Sequence, residues 1–148
     1  MELSNNNANI LLLDTHQDIE EYADLLVTNI LDKKDYSFLT YPPNCGLTEL
    51  EVAELNKLDN NENLKNALRK VIADNSAGIV FSFLNLFDGT GFPKNDNGSW
   101  SGLKVIDEEQ SGNSEPADDW LHENFYETYW DWKKIRGDKK WKLDTHEE

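Results

Sequence analysis

Between Ile79 and Phe87 every side chain is apolar except Ser82 and Asn85, so no solvent-facing polar stripe can be drawn on this stretch as helix or as strand. It is expected to be enclosed on most sides and to form the centre of the core. At about 100° per residue, Leu64, Leu68, Val71, Ile72, Ile79, Phe83 and Leu86 fall on one side, which predicts a central helix from near Glu62 with that face turned inward. Asp74-Asn75-Ser76 and Gly78 predict a kink or short break within it. Gly89, with Pro93 behind it, predicts its end. A buried strand from Ile79 to Phe87 is the alternative, since β-branched and aromatic residues suit one.

The remaining elements follow from the same patterning. Residues 1–9 are polar and Asn-rich and are expected to be loose, as are 143–148. Ile10 to Leu13 predicts a short strand. Thr15 with Asp18 signals a helix start, and Ile19, Tyr22, Ala23, Leu26 and Ile30 recur at helical spacing to about Lys33, with Lys33 and Lys34 suited to the negative end of the dipole. Tyr36 to Tyr41 predicts a second strand, closed by Pro42-Pro43. Thr48 and Glu51 form a capping-box pair, with Leu47 and Val52 at staple spacing, opening a helix to about Leu58. After a loop from Thr90 to Ser101, with a turn at Asn97-Gly98, Leu103 to Asp107 predicts a third strand and Gln110 to Glu115 a linker. A last helix is expected over about Pro116 to Arg136, with acids at its start, bases at its end, and Leu121, Phe125, Thr128, Trp132 and Ile135 on the core face. The fold class expected is α+β, mainly helical: one domain over 1–148 with about four helices around the central one and a few short strands.

Composition narrows the functional classes. A formal charge of −15 over 148 residues repels nucleic-acid phosphates and anionic membrane surfaces and favours a basic partner. The apolar runs are too short to span a bilayer, and Met1-Glu2 lacks the basic start of a secretory signal. The single cysteine, Cys45, cannot form an internal disulfide and reads as an ordinary thiol, so a reducing, cytoplasmic location is expected.

Motifs for chemistry are sparse. Asp88-Gly89-Thr90-Gly91 lacks the third glycine and the Lys-Ser/Thr of a phosphate cradle and leaves a helix where such cradles enter one, so it reads as a helix stop. Asp96-Asn97-Gly98 would need ligands at Pro93 and Lys104 to be a calcium loop, and His122-Glu123 has Tyr126 where a zinc helix has its second histidine. No metal and no cofactor are expected. A small hydrolase using carboxylates for acid-base work, with Asp88 and His122 in its site, is the enzymatic alternative.

The last third is more informative. From Asp107 to Asp131 there are nine carboxylates and no Lys or Arg, whereas Lys133 to Lys142 holds six bases and one acid. On the last helix, the side away from the core face carries Glu123, Glu127 and Trp130, flanked by Trp120, Tyr126 and Asp131. Like charges four apart weaken a helix by a few tenths of a kcal/mol, so stability does not account for the stripe. Rings beside carboxylates suit Arg and Lys side chains, the rings stacking and the carboxylates pairing. These six residues are the candidate binding site for a basic protein. The competing reading buries the three rings beneath residues 90–115 and leaves the carboxylates merely solvated.

The Pro-Pro turn before a capped helix, the FSFLNLFDGTG segment and the Trp-rich acidic helix together resemble, over about residues 40–132, small acidic bacterial proteins of the toxin-immunity type. The likeness is one of style, without a defining motif, and carries no individual residue across. It implies a non-catalytic protein that binds a toxin enzyme through an acidic surface.

Overall fold

The structure, a computed structural model, describes residues 3–43, 46–95, 98–108, 120–137 and 143. Cys45, the turn residue Asn97, the linker from Gln110 to Glu115, the expected helix start at Pro116 to Asp119 and the C-terminal residues 144–148 lie outside them. Four α-helices form: α1 Asn5–Val27, α2 Glu49–Asn56, α3 Glu62–Phe87 and α4 Leu121–Ile135, with a π-helical turn, Thr28–Lys33, continuing α1. The chain divides into two compact units, residues 1–19 with 75–139 and residues 20–74 with 140–148.

No strand or sheet occurs among the described residues, and the α+β expectation is thereby corrected to an all-helical one. Ile10 to Leu13 lies inside α1, because Ala8, Leu12, His16, Ile19, Ala23 and Val27 continue one buried face at three- and four-residue steps. Short apolar runs cannot distinguish strand from helix, and here the longer period decides. Tyr36 to Tyr41 is instead a turn: the Asp35 carboxylate accepts from the Ser37 N–H at 2.9 Å, and the Leu39 N–H donates to the Tyr36 carbonyl at 3.2 Å. Leu103 to Asp107 contributes only an isolated bridge at Ile106, since a ladder needs a neighbouring strand.

In the first unit the buried apolar side chains are Leu3, Ala8, Leu12, Ile19, Leu84, Leu121, Phe125 and Trp132. Residues Asn5 to Asn9, loose by composition, are the first turns of α1. Ser4 caps them, its hydroxyl accepting from the Asn7 N–H at 3.4 Å. The Asp107 carboxylate, from about a hundred residues downstream, accepts from the Ser4 N–H at 3.2 Å and from the Asn7 side-chain amide at 2.8 Å. A negative group at a helix start is favourable, and the hydrogen bonds from Asn7 and Ser4 hold the Asp107 pKa below its ordinary value.

In the second unit, Ala23, Val27, Leu31 and Ala73 are buried together with the polar Glu20, Asn29 and Arg69. Arg69 can be buried because its guanidinium meets Asp24 at 2.8 Å. Lys65 pairs with Asp32 at 2.8 Å, and that bond, with one from Asn60, lowers the Asp32 pKa. The capping box of α2 is complete, Thr48 accepting from the Glu51 N–H at 3.3 Å and the Glu51 carboxylate accepting from the Thr48 N–H at 2.7 Å. The π turn ends at Lys34, the one described non-glycine residue with positive φ, at 51°.

Helix α3 runs unbroken through Asp74 to Gly78. It stops as its sequence predicts: Gly89 has φ 73°, and the Thr90 and Gly91 N–H groups donate to the Asn85 carbonyl at 3.0 and 2.9 Å. Its inward face is a correction. Arg69, Ala73 and Leu84 are buried, while Val71, Ile79 and Phe83 are exposed. The stretch Ile79 to Phe87 is apolar nearly all round and carries little phase information, so Leu84 rather than Ile79 or Phe83 takes its inner face; upstream, the small Ala73 and the ion-paired Arg69 are buried instead of Val71.

Candidate functional site

Helix α4 is anchored by the burial of one side and by polar bonds from His16 and Asp88. Leu121, Phe125 and Trp132 are buried, and Thr128 and Tyr129 are half-buried. Ile135, expected on the same face, is exposed at the helix end. From α1, His16 stacks on the Phe125 ring at a centroid distance of 4.8 Å and meets the Tyr129 ring edge-on at 5.6 Å. Its Nε2 lies 2.7 Å from the Phe125 carbonyl oxygen, which can only accept, so that nitrogen carries the proton.

The second anchor is Asp88, just past the end of α3. Its side chain is fully buried, and Oδ2 accepts from the His122 backbone N–H at 2.9 Å and from Nδ1 of the His122 ring at 2.7 Å. The first of these bonds satisfies one of the orphan donors of α4, whose own preceding residue, Trp120, supplies no side-chain cap. Asp88 Oδ1 is buried without a hydrogen-bond partner among the described residues. The pair thus comes together as the enzymatic alternative required. Yet the oxygen that orients His122 is occupied in holding the helix start, and no Ser, Thr or Cys side chain among the described residues is bonded to the His122 ring. Among the described residues, a nucleophile, base and orienter are not brought together.

All six candidate binding residues, Trp120, Glu123, Tyr126, Glu127, Trp130 and Asp131, are exposed on the side away from Leu121, Phe125 and Trp132. The rings are not packed away, Trp120 keeping 49% of its surface and Tyr126 and Trp130 57% each. Each is nevertheless held from one side: Trp120 by the His122 ring at 5.5 Å, Tyr126 by Phe81 at 5.6 Å, and Trp130 by the edge of Tyr129 at 5.5 Å. Glu123 and Glu127, one turn apart, take part in no ion pair among the described residues. Of the acidic run in the sequence, Asp107 is withdrawn into the α1 cap, and Glu109, Glu115, Asp118 and Asp119 lie outside the described residues.

Two members of this surface escaped the sequence reading. The Lys133 ammonium stands over the Trp130 ring at 5.4 Å from its centroid, and the Lys134 ammonium is 2.7 Å from Asp131 Oδ1. The i,i+3 spacing of both pairs is the signal that could have found them. Among the described residues no group of three or more His, Cys, Asp or Glu side chains is placed to hold a metal ion, and no helix is long and apolar enough to cross a membrane. No family model matches the chain, no curated protein matches it, and no solved structure matches its fold.

Proposed function

We propose that the exposed face of α4 binds a basic protein partner without catalysis, in the manner of an immunity protein that neutralises a toxin. The observation that carries this reading is the exposure of three aromatic rings and three carboxylates on one side of a helix whose opposite side is fixed by burial and by His16 and Asp88. Large rings in water are costly to a lone helix, and unpaired carboxylates one turn apart repel; both costs turn to advantage against guanidinium and ammonium groups. A fixed helix also spends little entropy on binding.

The test is co-purification with the product of a neighbouring gene, followed by titration calorimetry. Glu123→Lys with Glu127→Lys should leave the thermal melt nearly unchanged, as surface substitutions do, and abolish association. Trp130→Ala should weaken binding by more than about 1 kcal/mol if the ring is an anchor. Rising salt should slow association of the unmodified protein. Unfolding by Trp130→Ala, with binding indifferent to both carboxylates, would place the interaction surface elsewhere.

A further inference from the structure

We propose that the partner element docking on α4 carries both signs of charge, a basic cluster and, about 13 Å along it, an acidic one; the inference rests on α4 being the binding face. From Leu121 to Glu127 the helix holds two acids, Glu123 and Glu127, and no Lys or Arg, whereas from Thr128 to its cap residue Arg136 it holds one acid, Asp131, and three bases, Lys133, Lys134 and Arg136. The face is thus negative at its N-terminal end and positive at its C-terminal end. Both ends are open to one approaching surface: at about 100° per residue Glu123, Glu127, Trp130 and Lys134 fall within about 60° of one another, and Lys133 stands beside them over the Trp130 ring.

A partner element that is basic along its whole length is attracted at one end of α4 and repelled at the other. Acids placed against the second end turn that repulsion into attraction. The contact Lys134 makes with Asp131 leaves room for this, because the Lys134 side chain is still 74% exposed and an ammonium has three N–H donors. Glu123 and Glu127 take part in no ion pair among the described residues and receive the basic cluster. The midpoints of the two acids and of Lys133 and Lys134 lie eight to nine residues apart, about 13 Å along the axis, which about four residues of a strand or two and a half turns of a helix would span. Opposite ends also fix direction, since the partner element can be laid on α4 with favourable pairing in only one sense.

Two peptides sharing one basic block, Arg-Arg-Arg-Gly-Glu-Glu-Glu and Arg-Arg-Arg-Gly-Gln-Gln-Gln, test this by NMR titration of the α4 amides at about 0.15 M salt, where the Debye length of about 8 Å largely screens charge elsewhere on the chain. Attraction to the whole chain, of charge −15, favours the second peptide, which is the more basic. Pairing at both ends of α4 demands the reverse order, the first peptide binding about two- to five-fold more tightly, the scale of one or two exposed ion pairs. Lys133→Gln with Lys134→Gln should invert that order. Lys94→Gln with Lys104→Gln, the same charge change away from α4, should leave it in place. Equal or weaker binding of the Glu-block peptide by the unmodified protein, or an order untouched by the Lys133 and Lys134 changes, would overturn the two-signed partner. Binding of neither peptide, or binding insensitive to Glu123→Gln with Glu127→Gln, would instead remove the reading of α4 on which it stands.

Discussion

At the scale of single residues, ring size is a poor guide to position. Phe125 is 1% exposed and stacked on His16; Phe83, at the middle of the most apolar stretch, is 55% exposed. Phe125→Ala should therefore cost about 3–5 kcal/mol, and Phe83→Ala less than about 1 kcal/mol. Urea denaturation of the two variants checks the order, and a Phe83 loss equal to that of Phe125 would mean that the inner face of α3 is misplaced. In sequence, Asp88 and His122 stand together only as the site of the hydrolase alternative. Singly, Asp88 reads as part of a helix stop and His122 as a failed zinc helix, and nothing local says that one caps the other across 34 positions. His16 likewise gave no sign, because its partner is a backbone carbonyl.

Local chemistry was legible wherever an element is decided by its own neighbours. The Thr48–Glu51 capping box, the glycine stop at Gly89 and the extent of the central helix all follow from residues within one turn. The three expected strands did not, since a strand exists only by virtue of a partner elsewhere in the chain, and short apolar alternation is equally a fragment of a helix or a turn. Two glycines, one inside α3 and one just past its end, separate these influences. Gly78 lies within the helix with open space where a Cβ would stand, and Gly89 lies beyond it at positive φ with equally open space. Gly78→Ala should raise stability by about 0.5–1 kcal/mol through lost freedom of the unfolded chain, and Gly89→Ala should lower it by about 1 kcal/mol through backbone strain. Thermal melts that moved in the same direction for both would contradict these backbone assignments.

For the whole molecule the governing quantity is charge. Asp107 is a carboxylate whose pKa is held below 3.8 in the folded state by Asn7 and Ser4. Its contribution is therefore fully present at neutral pH and is lost as pH falls from the ordinary carboxylate value through the depressed folded one. Asp107→Asn should melt below the unmodified protein at pH 7, and the gap should close as pH drops below about 3.8; a gap constant with pH would remove the charge from the account. The candidate surface belongs to this scale as well: the sequence disclosed its composition, while the lysines that sit on it emerged only with side chains in place. The exposed Ile79 and Phe83 have a consequence for colloidal behaviour. A chain of charge −15 holds its copies apart, so apolar side chains can stand in water without drawing molecules together. Acidification toward the isoelectric point, near pH 4.4, removes that repulsion by protonating carboxylates, before the pH has fallen far enough to protonate Asp107. Solubility and folding thus decline in succession on the acid side, the first between molecules and the second within them.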